Sequence, residues 1–346
     1  MKDYKEDEKE RELNDLFGKD SSGASFEKIV KKAKRKTIVR NILISLLVMI
    51  VLIVALGFSW LSMMRANQEK AMRDVELFSH ITRPNVEELG FQSLGNGLFE
   101  GILYYNRYKE IEGIPVDWSQ EVVTYSLFGG VSKLLGDHTP IQLTDRNDGM
   151  TRYFDRETKQ RIMEFYHPLI QYDFIRNDVA KVKELPKETL VELALSFNKK
   201  YTPEEVRKLM PDGVTVKWFW VDTYSNLDML KGEEFETEAG EIEKIPAVPE
   251  LANDIYGFEE FQEDPSLSKE RFIEDIKAGL HVREGKYFSE YQRINNYLMG
   301  DSTELSSDQI YILGVVVTGT AEEMKELEKL EFFRSAVLGV TVDPNE

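Results

Sequence analysis

The sequence predicts an α+β fold class. A single N-terminal transmembrane helix would precede an extracytoplasmic mixed domain with a strand-rich first half and a ferredoxin-like (split βαβ) second half. Three observations support this prediction. Asn41–Met64 is a run of 24 residues without a charged side chain. Short apolar runs broken by Gly, Asp and Asn extend from Leu89 to Ile170, and a strand–helix–strand pattern then occurs twice. We therefore expect four segments: a cytoplasmic tail (1–40), a transmembrane helix (41–64), a stalk and strand-rich region (65–180), and a C-terminal α+β domain (181–346) with an insertion at 225–309.

The uncharged run is long enough to cross a membrane as a helix. At about 1.5 Å of rise per residue it reaches roughly 36 Å, whereas the hydrocarbon core of a bilayer is about 30 Å thick. A cleaved secretory signal is the competing interpretation, but the apolar core of a signal has about 7–15 residues and ends at a small-x-small site. Here the run ends with Met63-Met64, and Arg65 follows it. We expect it to remain as an anchor in the cell membrane, with residues 65–80 continuing the helix as a stalk.

The orientation of the span follows from the basic residues on either side of it. Within twenty residues, seven Lys and Arg precede the span and four follow it. Because the more basic flank stays in the cytoplasm, we expect a cytoplasmic N-terminus and an extracytoplasmic C-terminal domain. The basic flank also makes membrane lipid a candidate partner, although its role as a topology anchor is the simpler interpretation.

The tail carries two short apolar stripes at helical spacing, separated by a breaker at residues 18–23. Each stripe is too short to form a stable helix alone in water. The tail is therefore either largely disordered or anchored in the groove of a partner protein. In the second case the partner-binding residues are Leu13, Leu16, Phe17, Phe26, Ile29 and Val30.

Two matching helix starts organise the second half of the outer region. Thr202-Pro203-Glu204-Glu205 has an N-cap, a Pro at the first helical position and a capping-box Glu, and it lies between predicted strands at 189–197 and 214–221. Thr320-Ala321-Glu322-Glu323 has the same form and lies near the C-terminus.

The second start lies between predicted strands at 311–318 and 335–342, and its helix is predicted to continue to Leu330. Two such units predict one four-stranded antiparallel sheet. The insertion between them contains two predicted helices, 268–280 with Ser268 as its N-cap and 289–299.

Charge and composition exclude several classes of function. The tail carries 12 basic and 9 acidic side chains, so residues 41–346 carry a net charge of −21, against −18 for the whole chain. An acidic exterior argues against direct nucleic-acid binding. The chain has no cysteine, its four histidines are widely scattered, and no phosphate-binding loop or nucleophile motif occurs. We therefore expect no enzyme, no cofactor and no metal site.

Several segments resemble a known family. Residues 26–36 and 81–86 (Ile-Thr-Arg-Pro-Asn-Val) resemble the N-terminal domain of the Firmicute sigma factor regulators. Residues 218–224 (Trp-Phe-Trp-Val-Asp-Thr-Tyr), 255–258 (Ile-Tyr-Gly-Phe) and 314–320 (Gly-Val-Val-Val-Thr-Gly-Thr) resemble its C-terminal domain. The resemblance covers most of residues 26–342.

The resemblance implies a transmembrane anti-sigma factor. Its tail would hold an extracytoplasmic-function sigma factor, and its outer domain would report the stress state of the cell envelope. A sigma factor is the expected partner on the cytoplasmic side, and a second membrane regulator is a further candidate. The alternative hypothesis is a membrane-anchored binding module for a lipid, a wall fragment or a partner protein, in which the tail is only an anchor.

Overall fold

A computed structural model describes residues 22–132, 139–146, 148–236 and 242–345 of the chain, with side chains from Glu27 onward except that of Asn96. The chain divides into two units, Met1–Met63 and Met64–Glu346. One helix, α1 (Ser22–Ser79), begins in the first unit and ends in the second. Its span and its stalk are therefore one element, as predicted, and the stalk ends at Ser79.

In the first unit the side chains of α1 are exposed along the uncharged run, except that of Trp60, which is half-buried. Among the described residues, α1 is the helix long and apolar enough to cross a membrane, judged by length and composition. The apolar stripe at residues 26–33 belongs to this same helix, so it is not the separate short piece that the sequence predicts. No Gly or Pro occurs between Phe26 and Gly57 to interrupt the helix.

The second unit, Met64–Glu346, is called the outer unit below, after the location expected from the sequence. Its first half is strand-rich, as predicted. Its longest strands form an antiparallel sheet in the order β1-β2-β3-β4, and β5 and β6 form a hairpin. The strands are β1 (Glu87–Asn96), β2 (Glu100–Ile111), β3 (Ile114–Ser126), β4 (Val131–Ser132), β5 (Ile141–Thr144), β6 (Thr151–Phe154) and β7 (Glu164–Phe165).

The second half contains both strand–helix–strand units. The helices are α2 (Val179–Lys183), α3 (Pro203–Leu209), α4 (Pro265–His281), α5 (Phe288–Met299) and α6 (Ala321–Met324). The strands are β8 (Leu190–Tyr201), β9 (Thr215–Val221), β10 (Glu233–Glu236), β11 (Ile242–Ile245), β12 (Glu250–Leu251), β13 (Gly257–Glu259), β14 (Ile312–Thr320) and β15 (Phe333–Val342).

The two units interleave in one antiparallel sheet with the strand order β13-β9-β14-β8-β15. Both predicted capping boxes, at Thr202 and at Thr320, are present. The sheet differs from the four-stranded prediction because a fifth strand, β13, is added at one edge. The predicted helix after Thr320 is one α-helical turn followed by a 3₁₀ turn at Lys325–Lys329. The ferredoxin-like arrangement stays a prediction.

The central sheet is buried on both faces, which explains why residues 190–197 of β8 are all buried. One face packs on the helices through side chains such as Leu193 and Leu195, together with Phe272 of α4 and Ile294 of α5. The opposite face packs on loop residues 162–172 and 252–255 and includes Trp218 and Trp220. At the outer edge of β15, Asn177 forms a parallel bridge with Ala336, and the Asp178 amide donates to the Ala336 carbonyl at 2.7 Å.

Candidate functional site at the end of the long helix

The structure describes the six predicted partner-binding residues of the tail to different extents. Leu13, Leu16 and Phe17 lie outside the described residues. Phe26 belongs to the first turns of α1, at a position where side chains are not described. The side chains of Ile29 and Val30 are exposed on α1, at 62% and 38%.

The three segments that resemble the regulator C-terminal domain lie on adjacent strands. Gly257 of β13 is opposite Trp220 of β9, and Gly314 of β14 is opposite the same Trp220 from the other side. The N-terminal segment joins them, because the amide of Gly257 donates to the carbonyl of Ile81 at 2.9 Å. Segments separated by more than 200 residues in sequence therefore meet beside the C-terminal end of α1.

Two glycines allow this close packing. A methyl group at Gly257 would overlap the carbonyl oxygen of Phe219 and press on the indole of Trp218. A methyl group at Gly314 would overlap the carbonyl oxygen of Leu195 and press on the indole of Trp220. Glycine in a strand often marks such a close approach.

Polar contacts fix the loop that follows α1. The Thr82 hydroxyl donates to the carbonyl of Phe78 at 2.8 Å. Arg83 and Asn85 have positive φ angles of 68° and 52°, an uncommon backbone conformation for residues other than glycine. The buried Arg83 guanidinium pairs with Glu88 and with Glu121 of β3. The loop is therefore held to the first sheet by charge.

A buried ion pair connects the same loop to both sheets. Lys109 of β2 and Glu192 of β8 are fully buried, and the Lys109 ammonium donates to both Glu192 oxygens, at 2.9 and 2.8 Å. Glu192 also accepts from the Asn85 side-chain amide at 2.8 Å and from the Val340 backbone amide at 3.2 Å. Three donor groups, through four hydrogen bonds, thus compensate one buried carboxylate, as burial of a charge requires.

The last turns of α1 also contact the insertion. The rings of Phe78 and Tyr287 are stacked, and Asp74 accepts from the backbone amide of Lys286 at 2.8 Å. The imidazole Nδ1 of His80 lies 3.1 Å from the carboxylate of Asp275 in α4. The insertion thus holds the C-terminal end of α1.

A cavity of about 520 Å³ lies beside this junction, within the size range of small-molecule sites. Its lining includes five glutamates, Glu76, Glu87, Glu88, Glu110 and Glu259, together with aromatic residues such as Tyr105 and Trp218. Burial, together with the charge of Glu87, raises the pKa of Glu259. Arg83 and Lys217 belong to the same lining and pair with Glu88 and Glu110, so the cavity combines carboxylates with cations. No set of three His, Cys, Asp or Glu residues in the described part of the chain is arranged to hold a metal ion.

Tyr105 is the most deeply buried polar residue of this lining. Its hydroxyl has no hydrogen-bond partner among the described residues, and burial and Glu121 raise its pKa to about 12. It therefore remains a neutral hydroxyl at physiological pH. The position of Tyr105 in this lining could not be predicted from the sequence, because the cavity is created by contacts between segments far apart in the chain.

Comparison with known protein families agrees with these observations. Residues 27–116 match the family described as sigma factor regulator N-terminal, and residues 182–340 match the family described as sigma factor regulator C-terminal. The two matches together cover well over half of the chain. Among the curated proteins and the solved structures, nothing matches it. The chain belongs to the sigma factor regulator family.

Proposed function

We propose that this chain is a single-pass membrane anti-sigma factor that binds an extracytoplasmic-function sigma factor through its cytoplasmic tail and reports the envelope state through its outer domain. Family membership and the membrane-compatible helix support a membrane anti-sigma regulator. The observation that carries the signalling role is the convergence of the family's segments at the end of α1.

Contacts from two parts of the outer unit hold the stalk. The side-chain amide of Asn67 donates to the carbonyls of Ser126 and Leu127, at 3.0 and 2.7 Å. About three turns further along, Phe78 packs on Tyr287 of the insertion. A ligand or partner that changes the conformation of the outer unit would alter these contacts. The conformational equilibrium of α1, which continues toward the tail, would shift as a result. Such a ligand acts only through its different affinity for the two states.

The partner-binding residues of the tail are the six apolar residues predicted from the sequence. Charge placed in an apolar groove costs several kcal/mol when no partner compensates it. We expect the double variant Leu16→Asp with Phe17→Asp to abolish co-purification of the sigma factor and to raise transcription of its regulon.

The matched control adds the same two charges at neighbouring positions outside the apolar stripe, Asn14→Asp with Gly18→Asp. It should retain the sigma factor. Equal recovery of the sigma factor with both double variants would remove Leu16 and Phe17 from the proposal.

The cavity favours a second candidate function, an outer binding module for which the tail is only an anchor. Deletion of residues 1–25 distinguishes the two proposals. The anti-sigma factor should lose control of its regulon, whereas a binding module should keep its function. Protease treatment of intact cells tests the proposed orientation, because only a C-terminal domain outside the membrane would be digested.

A further inference from the structure

Two neighbouring loops of the outer unit carry exposed apolar side chains and no charge. Residues 93–99 (Ser-Leu-Gly-Asn-Gly-Leu-Phe) end β1 and form the turn to β2, and residues 126–132 (Ser-Leu-Phe-Gly-Gly-Val-Ser) run from the last residue of β3 through β4. The amide of Leu127 donates to the carbonyl of Phe99 at 2.7 Å, so the loops lie side by side. We call their four exposed apolar side chains the apolar tip: Leu94, Leu98, Phe99 and Phe128.

The degree of exposure is unusual for such residues. Phe128 is 82% exposed and Leu98 is 68% exposed. Single exposed apolar residues are common on protein surfaces, but a contiguous group of them marks a surface that contacts another protein or a membrane. The position of the apolar tip in the fold decides between these two.

The apolar tip lies where α1 leaves its uncharged run. Asn67, which binds the backbone of Ser126 and Leu127, is three residues after Met64, the last residue of that run. Three residues correspond to about 4.5 Å along a helix. The side chain of Met64 is fully buried, and Met64 is the first residue of the outer unit. The apolar tip therefore lies beside the residues of α1 that immediately follow the uncharged run, where a bilayer around that run would begin.

We propose that the apolar tip inserts into the interfacial layer of the membrane that α1 crosses. The absence of charge in both loops matches this environment, because charged side chains are costly below the headgroups. Transfer of leucine and phenylalanine side chains from water into this layer lowers the free energy. The membrane is the occupant that the anchor itself brings within reach, and this distinguishes it from a second copy or a soluble partner.

Leu89 provides an internal contrast. It is exposed on the same strand, β1, but it lies next to Glu88, which pairs with Arg107 of β2. Leu89 lies five residues before Leu94, the nearest member of the apolar tip on the same strand, or about 17 Å along a strand. An exposed leucine at that distance from the apolar tip should remain in water.

The absence of cysteine makes the proposal directly testable. Single-cysteine variants Leu98→Cys and Phe128→Cys of the full chain would carry a spin label, with Leu89→Cys and the exposed surface variant Met229→Cys as controls. Each labelled chain would be reconstituted into vesicles of phosphatidylcholine and phosphatidylglycerol. The measurement compares collision of the label with oxygen, which concentrates in lipid, and with a water-soluble nickel chelate. Unchanged thermal melting of each labelled chain confirms its fold.

We expect labels at positions 98 and 128 to collide with oxygen several-fold more than with the nickel chelate, and labels at 89 and 229 to show the reverse. Labels at 98 and 128 that behave as those at 89 and 229 would overturn the proposal, because the apolar tip would then lie in water. Protection from both reagents would also overturn it, because protein would then cover the apolar tip. Either result leaves the proposed sigma factor binding untouched.

Discussion

The ring of Phe78, one residue before the end of α1, lies parallel to the ring of Tyr287, with their centroids 3.8 Å apart and 3° between their planes. Tyr256 and Tyr291 meet the same ring edge-on, at 6.1 and 5.9 Å. Aromatic pairs of this kind contribute about 0.5–1.5 kcal/mol beyond the burial of their area. The stalk is thus attached to the insertion by an aromatic cluster rather than by a single contact.

Replacement of Phe78 should loosen this attachment. We expect Phe78→Ala to lower the free energy of unfolding of the outer unit by about 2–4 kcal/mol, because a half-buried ring and its three aromatic contacts are lost. Phe235→Ala, in the exposed hairpin β10–β11, is the matched control and should change stability by less than about 0.5 kcal/mol. Denaturant unfolding of both variants in detergent measures the difference. Similar unfolding midpoints for the two would exclude the aromatic cluster as a stabilising contact.

The two capping boxes should stabilise the outer unit by similar amounts. The hydroxyls of Thr202 and Thr320 accept from the amides of Glu205 and Glu323, at 3.3 and 3.2 Å. We expect Thr202→Ala and Thr320→Ala each to destabilise the outer unit by about 0.5–2 kcal/mol. Thr303→Ala, at an exposed position, is the control. Thermal melts that show a shift for one cap and none for the other would contradict an equal role for the two units.

The Lys109–Glu192 pair should be sensitive to loss of one partner. Lys109→Met leaves the Glu192 carboxylate buried without its cation, and we expect a loss of about 3–5 kcal/mol. The double variant Lys109→Met with Glu192→Gln removes the uncompensated charge and should recover part of this loss. Urea unfolding of both variants tests the pair. A double variant less stable than Lys109→Met alone would show that the carboxylate does not depend on Lys109.

Glu250 should make stability depend on pH. Burial raises its pKa from 4.5 to about 7, and the Tyr224 hydroxyl donates to it. The folded protein binds this proton more tightly than the unfolded chain does, so its contribution to stability is complete below about pH 4.5 and is lost as the pH rises through about 7.

Glu250→Gln keeps a neutral side chain at every pH. We expect its thermal midpoint to rise relative to that of the original chain as the pH increases from about 5 to about 8. Parallel midpoint curves for the two proteins would exclude Glu250 as the source of the effect.

Local signals in the sequence predict local structure well. The caps at Thr202 and Thr320 depend on residues within four positions, and both are confirmed. The predicted N-cap at Ser268 is wrong by one turn. Asp264 caps α4 and Pro265 begins it, while the buried Ser268 hydroxyl accepts from the Phe261 amide at 2.9 Å. Two capping signals lie one turn apart, and the earlier one contains the Pro suited to a first helical turn.

Features that depend on distant pairing could not be predicted. The three residues of β13 have no alternating pattern of their own and form a strand because β9 lies beside them. The Lys109–Glu192 pair joins residues 83 positions apart. The family's segments are visible in the sequence, but their meeting at the end of α1 is a result of the sheet order. The tail residues, in contrast, rest on spacing alone and stay predictions.

The two edges of the central sheet bear on how anchored copies meet. Molecules held in a membrane are confined to a plane, so their outer domains collide more often than free proteins at the same overall abundance. An open strand edge in such a crowd would invite one domain to add its strand to the next. Here one edge is β13, a strand of only three residues. At the other edge, the Asn177–Asp178 segment pairs with the backbone of Ala336 in β15. The Leu338 amide of the same strand donates to the Asp178 carboxylate at 2.9 Å. The sheet is thus suited to a densely populated membrane surface, where neighbours touch repeatedly without fusing into a common sheet.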